Sequence, residues 1–294
     1  MKFYNEIKQE LINNEVYKKV KDYSKNKNDL TTYYNVGKLL VEAGKAYGEK
    51  IIKNYSYKLT KELGKGYNES ALKRMRQFYL IIAKGATLSH QLCWSHYVEL
   101  LKLNDINKID YYNKISINQN ISVRELRKKI KTNEYERLDD STKLKLITKE
   151  DLKVSDFIKN PIIIKNVSNY EIVSERILKQ LILENISNFL KELGEGFSYI
   201  ESEYKIKIGK TYNYIDLLLF NYKYNCFVVA ELKITELKKD HIGQIQTYLN
   251  YIDKNIKTLN QEKTIGIIIV KKENRFILEY SSDKRIYETT YILN

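Results

Sequence analysis

Hydrophobic residues in the first 135 positions recur at intervals of three and four, which is the spacing of one face of an α-helix. After about residue 150 the candidate elements include short apolar runs with the character of β-strands. The pattern therefore predicts an all-helical N-terminal domain followed by a domain of mixed composition. The clearest helical positions are Val36, Leu39, Leu40, Leu72, Met75, Phe78, Tyr79 and Ile82.

Two helical segments of the first half are separated by a short turn that contains glycine. Gly64 and Gly66 follow the first segment, and Asn68 can cap the second, which covers residues 69–79. The second segment carries three cationic side chains, those of Lys73, Arg74 and Arg76. This order predicts a helix-turn-helix or winged-helix-like element whose basic helix binds nucleic-acid phosphates. A solvated face of a core helix is the alternative interpretation of the three cations.

Another helix of this domain is expected to begin at Ser122. Glu125 stands three residues later, so the two residues can form a capping box.

The helical spacing fades between residues 136 and 168, in a charged stretch that contains the only proline, Pro161. We place a domain boundary near residue 150, which gives domains of residues 1–150 and 151–294. The second domain is predicted to be a mixed α/β sheet flanked by helices. Its expected elements are a helix over 174–193 that ends at Gly194, strands at 197–208, 213–220 and 226–233, a helix at 240–253, and strands at 264–270 and 275–280.

Charge and cysteine content narrow the choice of partners and compartment. The net charge of +14 and the pI near 9.3 favour a polyanionic partner. General enrichment in Lys, Asn, Ile and Tyr is an equally good explanation of the basicity. Cys93 and Cys226 stand far apart in apolar surroundings and are expected to be buried free thiols of a reducing compartment. The first residues have no apolar signal core and no stretch approaches ~20 apolar residues, so we expect a cytoplasmic protein without a membrane span.

Three charged side chains stand in strands that are otherwise apolar. Asp216 lies inside the run 214–220, and Glu231 and Lys233 end the apolar run that begins at Cys226. Burying an unpaired carboxylate costs several kcal/mol, so buried charges are normally paired or bound to a metal. The pattern therefore indicates a site that holds a divalent cation and hydrolyses phosphodiesters.

Strand geometry should bring these three side chains together. Alternation places Glu231 and Lys233 on one face of their strand, and a turn over residues 221–225 would fold Asp216 back towards Glu231. Two close carboxylates repel each other unless a cation neutralises them, and ligands that are all oxygen favour Mg²⁺ or Mn²⁺. Charges on an edge strand that reach solvent are the alternative interpretation.

Helical residues can complete the site. Glu175 lies on the apolar stripe of the helix predicted over 174–193, so it could be a third metal ligand. It could equally be an acid that complements the helix dipole. Gln244 and Tyr248 are four residues apart on the helix predicted over 240–253 and share a face. They could orient the lysine or contact a phosphate, or they could be polar surface.

These residues resemble the motifs of the PD-(D/E)xK nuclease superfamily, and Gln244 with Tyr248 resembles the QxxxY motif of its RecB-like members. The resemblance narrows to the YhcG family, in which an N-terminal domain precedes a nuclease-like domain. The stretches that carry it are 75–79, 94–97, 122–126, 189–197, 214–218, 230–233, Gly243 with Gln244, and Tyr248 with Leu249.

The resemblance implies a restriction-endonuclease-like fold with Asp216 and Glu231 as metal ligands and Lys233 as the catalytic lysine. Glu175 matches the helix acid of the superfamily. A second acid would be expected on that helix where this chain has Lys179, which puts the contribution of the helix to the metal in doubt. Ile215 stands where the superfamily's namesake proline would precede Asp216, a departure shared by divergent members.

The prediction is a nuclease that depends on Mg²⁺ or Mn²⁺ and binds a duplex through its N-terminal domain. DNA is favoured as the substrate, and the sequence leaves the choice between DNA and RNA open. Lys233 and Gln244 would act with Asp216 and Glu231 in catalysis, while Tyr248 would contact the nucleic acid. A homodimer is compatible with cutting both strands. Two alternatives stay open, a catalytically silent nucleic-acid-binding protein on a nuclease fold and a pure assembly protein.

Overall fold

The computed structural model describes residues 2–19, 25–48 and 50–294, and the chain divides into two compact units, Met1–Tyr135 and Glu136–Asn294. Residues 136–150, which the sequence pattern places in the N-terminal domain, are part of the second unit. The contacts of Arg137 give the reason. Its guanidinium donates a hydrogen bond of 2.7 Å to the Pro161 carbonyl and forms an ion pair with Glu192.

The predicted helical character of the first unit is confirmed across its described residues. Its helices are α1 (Lys2–Lys19), α2 (Lys25–Tyr47), α3 (Ile51–Leu63), α4 (Glu69–Ala83), α5 (Trp94–Leu100), α6 (Ile106–Asn118) and α7 (Val123–Lys131). A 3-10 turn, Lys65–Tyr67, joins α3 to α4. Helices α2 and α4 approach closely at Gly37, where an added Cβ would collide with the Met75 carbonyl.

The caps expected from the sequence are present. The Asn68 side chain accepts a hydrogen bond of 3.0 Å from the Ala71 N–H at the start of α4. Ser122 and Glu125 form the full capping box of α7. Leu72, Met75 and Phe78 on the inner face of α4 are buried, while Tyr79 and Ile82 are half-buried. The ring of Phe78 packs edge-on against Trp94 and Tyr97.

The second unit is a six-stranded mixed sheet with helices on both faces. The strand order is β1-β6-β5-β4-β3-β2, with antiparallel pairing in β2–β3 and β3–β4 and parallel pairing elsewhere. Its strands are β1 (Ile162–Ile164), β2 (Phe197–Ile208), β3 (Thr211–Asn221), β4 (Cys226–Glu236), β5 (Glu262–Lys272) and β6 (Ile286–Leu293). Its helices are α8 (Asp140–Thr148), α9 (Glu175–Glu184), α10 (Ile186–Leu193), α11 (Lys239–Asn255) and α12 (Arg275–Glu279).

Two apolar cores cover the two faces of the sheet. One contains α9 and α10 with Val228, Ala230 and Leu232 of β4, and the other contains α11 with Val229. Alternation along β4 therefore places Glu231 and Lys233 on the face that α11 covers. The approach of α11 to β5 is close, because a Cβ added at Gly266 would lie 2.7 Å from the Ile245 side chain.

Two predicted elements of this unit are wrong. Residues 275–280 are not a strand, because Arg275–Glu279 form α12, and the last strand is β6. Short apolar runs fit either a helix or a strand, so local pattern could not decide. The single helix predicted over 174–193 is interrupted at Asn185, which ends α9 and precedes α10.

No helix in the described part of the chain combines the length and the apolar character needed to cross a membrane. Both cysteines are free, Cys226 is buried as expected, and Cys93 is only half-buried because it lies at the start of α5.

Candidate active site

The candidate site lies where β3 and β4 separate. The backbone pairing of these strands ends at Leu217 opposite Ala230, so Asp216 and Glu231 are the next residues along. Beyond this pair, hydrogen bonds from backbone N–H groups to the two carboxylates connect the strands. The Asp216 N–H donates to Glu231 Oε1 at 3.2 Å, and the Leu232 N–H donates to Asp216 Oδ2 at 2.9 Å. The two carboxylates are thereby fixed side by side, as the predicted turn requires.

Lys233 completes the predicted trio. Its Nζ donates to Glu231 Oε2 at 3.3 Å, in agreement with the expected shared face. Only 2% of Glu231 is exposed, and β4 has a strand on each side, β3 and β5. The alternative of edge-strand charges that reach solvent is therefore wrong.

The electrostatic environment of Glu231 is unfavourable to its charge. Burial raises the pKa of Glu231 to about 7, and the neighbouring Asp216 carboxylate adds to the increase. Lys233 and the hydrogen bond from the Asp216 backbone act in the opposite direction without cancelling it. A cation beside the two carboxylates would favour the charged form of both groups.

Helix α11 contributes a polar pair to the same place. Gln244 Nε2 donates to Tyr248 Oη at 3.0 Å, and only 4% of Tyr248 is exposed. Burial raises the pKa of Tyr248, and the charges of Glu231, Lys233 and Asp216 all act on its hydroxyl. Tyr248 is thus buried within electrostatic range of the carboxylates, and the polar-surface alternative is wrong for it.

Glu175 is exposed in the first turn of α9 and does not face the core as its stripe position suggested. The exposure follows from its place at the helix start, which Ser174 caps through the Ile177 N–H at 3.2 Å. Within the described residues, no group of three or more His, Cys, Asp or Glu side chains is arranged to hold a metal. Glu175 therefore does not join Asp216 and Glu231 in such a group.

Lys179, one turn further along α9, contacts Asp216 instead. Its Nζ lies 2.7 Å from Asp216 Oδ1 and also forms an ion pair with Glu203 of β2. Burial lowers the pKa of Lys179, but the hydrogen bonds to Asp216 and Glu203 outweigh this and the net pKa is raised. The side chain is accordingly a stable ammonium.

Glu203 is a site neighbour that the sequence did not indicate. The register of β2 and β3 sets it opposite Asp216, between the pairs Ser202–Leu217 and Tyr204–Ile215. Its φ of +54° is a left-handed conformation that non-glycine residues rarely adopt. Only the strand register and this local backbone bring its carboxylate to Lys179.

His241 is a capping residue. Its Nδ1 accepts a hydrogen bond of 3.2 Å from the Lys238 N–H at the start of α11. Burial, together with the charges of Lys233 and Lys238, lowers the pKa of His241.

The donor chemistry fits one hard cation. Asp216 and Glu231 present neighbouring oxygen ligands, of the kind that Mg²⁺ and Mn²⁺ prefer. The Lys179 ammonium lies on Asp216 Oδ1, so a cation bound by Asp216 has to share or displace that contact.

The cationic residues predicted to bind nucleic acid lie on α4 of the first unit. Lys73 and Arg74 are exposed, and Arg76 is half-buried. Lys73 forms an ion pair of 2.7 Å with Glu69 one turn earlier.

Comparison with known proteins agrees with this fold. Residues 155–293 match the model of the YhcG PDDEXK nuclease domain, and residues 6–137 match that of the DUF1016 N-terminal domain. The second unit is therefore a PD-(D/E)xK nuclease-like domain. Since the two models together account for most of the sequence, the chain belongs to the YhcG family.

A curated relative and two solved structures are similar to this chain. "Putative nuclease YhcG" of Escherichia coli (strain K12) is 24% identical over 282 residues, which cover 81% of this chain and 75% of that protein. A repair endonuclease from Pyrococcus abyssi is 22% identical, with a TM-score of 0.29 over 42% of this chain and 48% of its own. An EndoMS–dsDNA complex is 19% identical, with a TM-score of 0.31 over 42% and 47%. The chain spans about half the length of these two structures.

Proposed function

We propose that this protein is a divalent-metal-dependent nuclease that hydrolyses phosphodiester bonds of DNA. The observation that carries the proposal is the meeting of Asp216, Glu231 and Lys233 where β3 and β4 separate. Burial of Glu231 beside a second carboxylate is costly for a purely structural role. The membership of the second unit in the nuclease-domain family supports the same conclusion.

In the proposed mechanism Asp216 and Glu231 would hold Mg²⁺ or Mn²⁺. When bound, the ion would stabilise negative charge on the phosphate and make a water molecule more acidic. Lys233, held by Glu231, would position the water that attacks phosphorus, and the P–O bond to the departing strand end would break in line. Gln244 and Tyr248 would orient Lys233 and Glu231. The burial of Tyr248 favours this role over contact with the nucleic acid.

The first unit would bind the DNA backbone through α4, with Lys73, Arg74 and Arg76 near phosphates. The order of α3, the short turn and α4 supports this assignment, since a helix-turn-helix element has the same order. We expect a homodimer where both strands of a duplex are cut. A contribution of Glu175 to the ion would require its exposed carboxylate to swing inwards.

One observation favours a second candidate, a silent nuclease fold that binds nucleic acid without cutting it. Lys179 places a fixed positive charge on Asp216 at 2.7 Å, where the resemblance leads one to expect an acid. Such a charge weakens the attraction of the site for a metal ion.

The decisive experiment incubates the purified chain with plasmid, single-stranded and junction DNA in Mg²⁺, Mn²⁺ or EDTA. Cleavage that requires the ion and is lost in Lys233→Ala is the expected result. Binding that is sensitive to salt but never followed by cleavage would favour the silent candidate. Failure to retain DNA even at low salt would point to an assembly protein.

A further inference from the structure

A β-hairpin formed by the outer parts of β2 and β3 carries basic and aromatic side chains that the catalytic site does not use. Residues 204–214 contain three lysines and no acidic residue. The two strands are joined by a two-residue turn, Gly209-Lys210, in which Gly209 has a φ of +61°. β2 is also the edge strand of the sheet, so this hairpin borders solvent.

Four of these side chains lie on one face of the hairpin. In the strand register Lys205 is opposite Tyr214 and Lys207 is opposite Tyr212, and residues opposite each other share a face. The Lys205 ammonium lies 4.0 Å from the centroid of the Tyr212 ring, and that of Lys207 lies 5.6 Å from it. We call Lys205, Lys207, Tyr212 and Tyr214 the hairpin track.

The tyrosines of the hairpin track are available to a ligand. Tyr212 is 51% exposed and Tyr214 is 49% exposed, while Ile206 and Ile215 between them are buried and fix the hairpin to the core. Exposed lysines alternating along an edge strand also prevent sheet edges from pairing. That role does not require two half-exposed tyrosines on the same face.

The hairpin track leads to the carboxylates. Tyr212 and Tyr214 stand four and two residues before Asp216 on β3, so the hairpin track ends next to the candidate site. A strand of nucleic acid lying along this face would therefore run towards Asp216.

We propose that the hairpin track binds an unpaired strand of DNA and delivers it to the site at Asp216 and Glu231. Lysines attract phosphates, and tyrosine rings give sequence-independent stacking platforms for bases. Tyr212 and Tyr214 are about 7 Å apart along the strand. This is about twice the 3.4 Å rise per nucleotide of a stacked duplex strand, so successive bases can meet both rings only when unstacked and extended. The proposal deepens the proposed function by naming the form of substrate.

The test measures binding of the full chain to labelled oligo-dT, to a duplex of equal length and to oligo-U, by fluorescence anisotropy in EDTA at several salt concentrations. Tyr212→Ala and Tyr214→Ala should each weaken oligo-dT binding by about tenfold, with little change in salt slope. Tyr212→Phe and Tyr214→Phe should bind like wild type. The double variant Lys205→Ala/Lys207→Ala should reduce the salt slope by about 1.4, as expected for two phosphate contacts.

A matched control is Lys271→Ala/Tyr280→Ala, which removes an exposed lysine and an exposed tyrosine elsewhere in the second unit. Equal loss of affinity in this control would overturn the proposal, as would tyrosine variants that lose as much affinity for the duplex as for oligo-dT. Tighter binding to oligo-U than to oligo-dT would replace DNA by RNA as the ligand. Loss of a dimer in the tyrosine variants, measured by light scattering, would make the surface a contact between copies instead.

Because EDTA prevents metal-dependent cutting, the two proposals can fail separately. Tyrosine-dependent binding without cleavage in Mg²⁺ would refute the nuclease and retain the hairpin track. Metal-dependent cleavage, together with normal oligo-dT binding by the tyrosine variants, would retain the nuclease and refute the hairpin track.

Discussion

Two acids with nearly buried side chains, Glu99 of the first unit and Glu231 of the second, have opposite electrostatic surroundings. Glu99 accepts hydrogen bonds from Arg127 at 2.7 Å and from Lys102 at 2.5 Å, and the Arg127 bond is the main reason why its pKa is lowered. Glu231 has Asp216 beside it, and its pKa is raised to about 7 by burial and by that neighbour. The charge of Glu99 is balanced by its two cationic partners. The negative charge of Glu231 is not fully balanced by its neighbours, so a bound cation would stabilise it. This difference separates a structural ion pair from a candidate metal site.

The largest effect is expected from a substitution of Asp216, the carboxylate that lies beside Glu231. Asp216→Asn keeps the shape of the side chain but removes its charge, so we expect cleavage to fall by about a thousandfold or more. Single-turnover cleavage in Mg²⁺ measures this, with anisotropy to show that DNA binding is retained. Glu99→Gln is the matched control and should cut at the wild-type rate. Cleavage by Asp216→Asn at that same rate would remove the proposed active site.

Lys179 tests whether the positive charge of α9 competes with the ion. Lys179→Met removes an ammonium 2.7 Å from Asp216 Oδ1, so affinity for Mn²⁺ should rise by at least about tenfold. Isothermal titration calorimetry or the Mn²⁺ resonance signal gives the affinity without reference to catalysis. Lys179→Arg retains the charge and should bind Mn²⁺ like wild type. Equal affinities in all three proteins would mean that Lys179 does not limit the site.

Glu99 should affect stability alone, and in a way that depends on pH. Glu99→Gln loses charge-assisted hydrogen bonds and should lower the free energy of unfolding at pH 7 by about 1–3 kcal/mol. Because the folded-state pKa of Glu99 is lowered, its contribution is complete above the unfolded pKa near 4.3 and is lost as pH falls through the folded value. Denaturant unfolding of wild type and variant from pH 7 to pH 3 should therefore converge in acid. A constant difference would contradict the ion-pair interpretation.

The smallest effect is expected at Tyr248. Its substitution distinguishes a residue that orients Glu231 and Lys233 from one that contacts nucleic acid. Tyr248→Phe keeps the buried ring and removes the hydroxyl that accepts from Gln244. Loss of one neutral hydrogen bond corresponds to about 1 kcal/mol, so we expect cleavage to slow by about fivefold while oligonucleotide binding stays unchanged. A loss of binding with unchanged cleavage rate at saturation would instead assign Tyr248 to the nucleic-acid contact predicted from sequence.

Much of the fold was predictable because it depends on local pattern. Strands β2, β3 and β4, helix α11 and the caps at Asn68 and Ser122 follow from apolar period and turn residues, which act within a few positions. The failed elements lie where local pattern is ambiguous. The apolar run over 275–280 suits a strand as well as a helix, and packing against β6 and the rest of the unit selected the helix.

The sequence by itself determined the centre of the candidate site, namely two acids and a lysine on two strands joined by a tight turn. The period of a β-strand is fixed by covalent geometry, so Glu231 and Lys233 had to share a face and Asp216 had to return to them. The tertiary structure alone decided which further charges meet them. Glu175 is exposed, while Lys179 of α9 and Glu203 of β2 meet at Asp216. Those contacts depend on helix placement and strand register over long separations, and such geometry is set by packing of the whole unit.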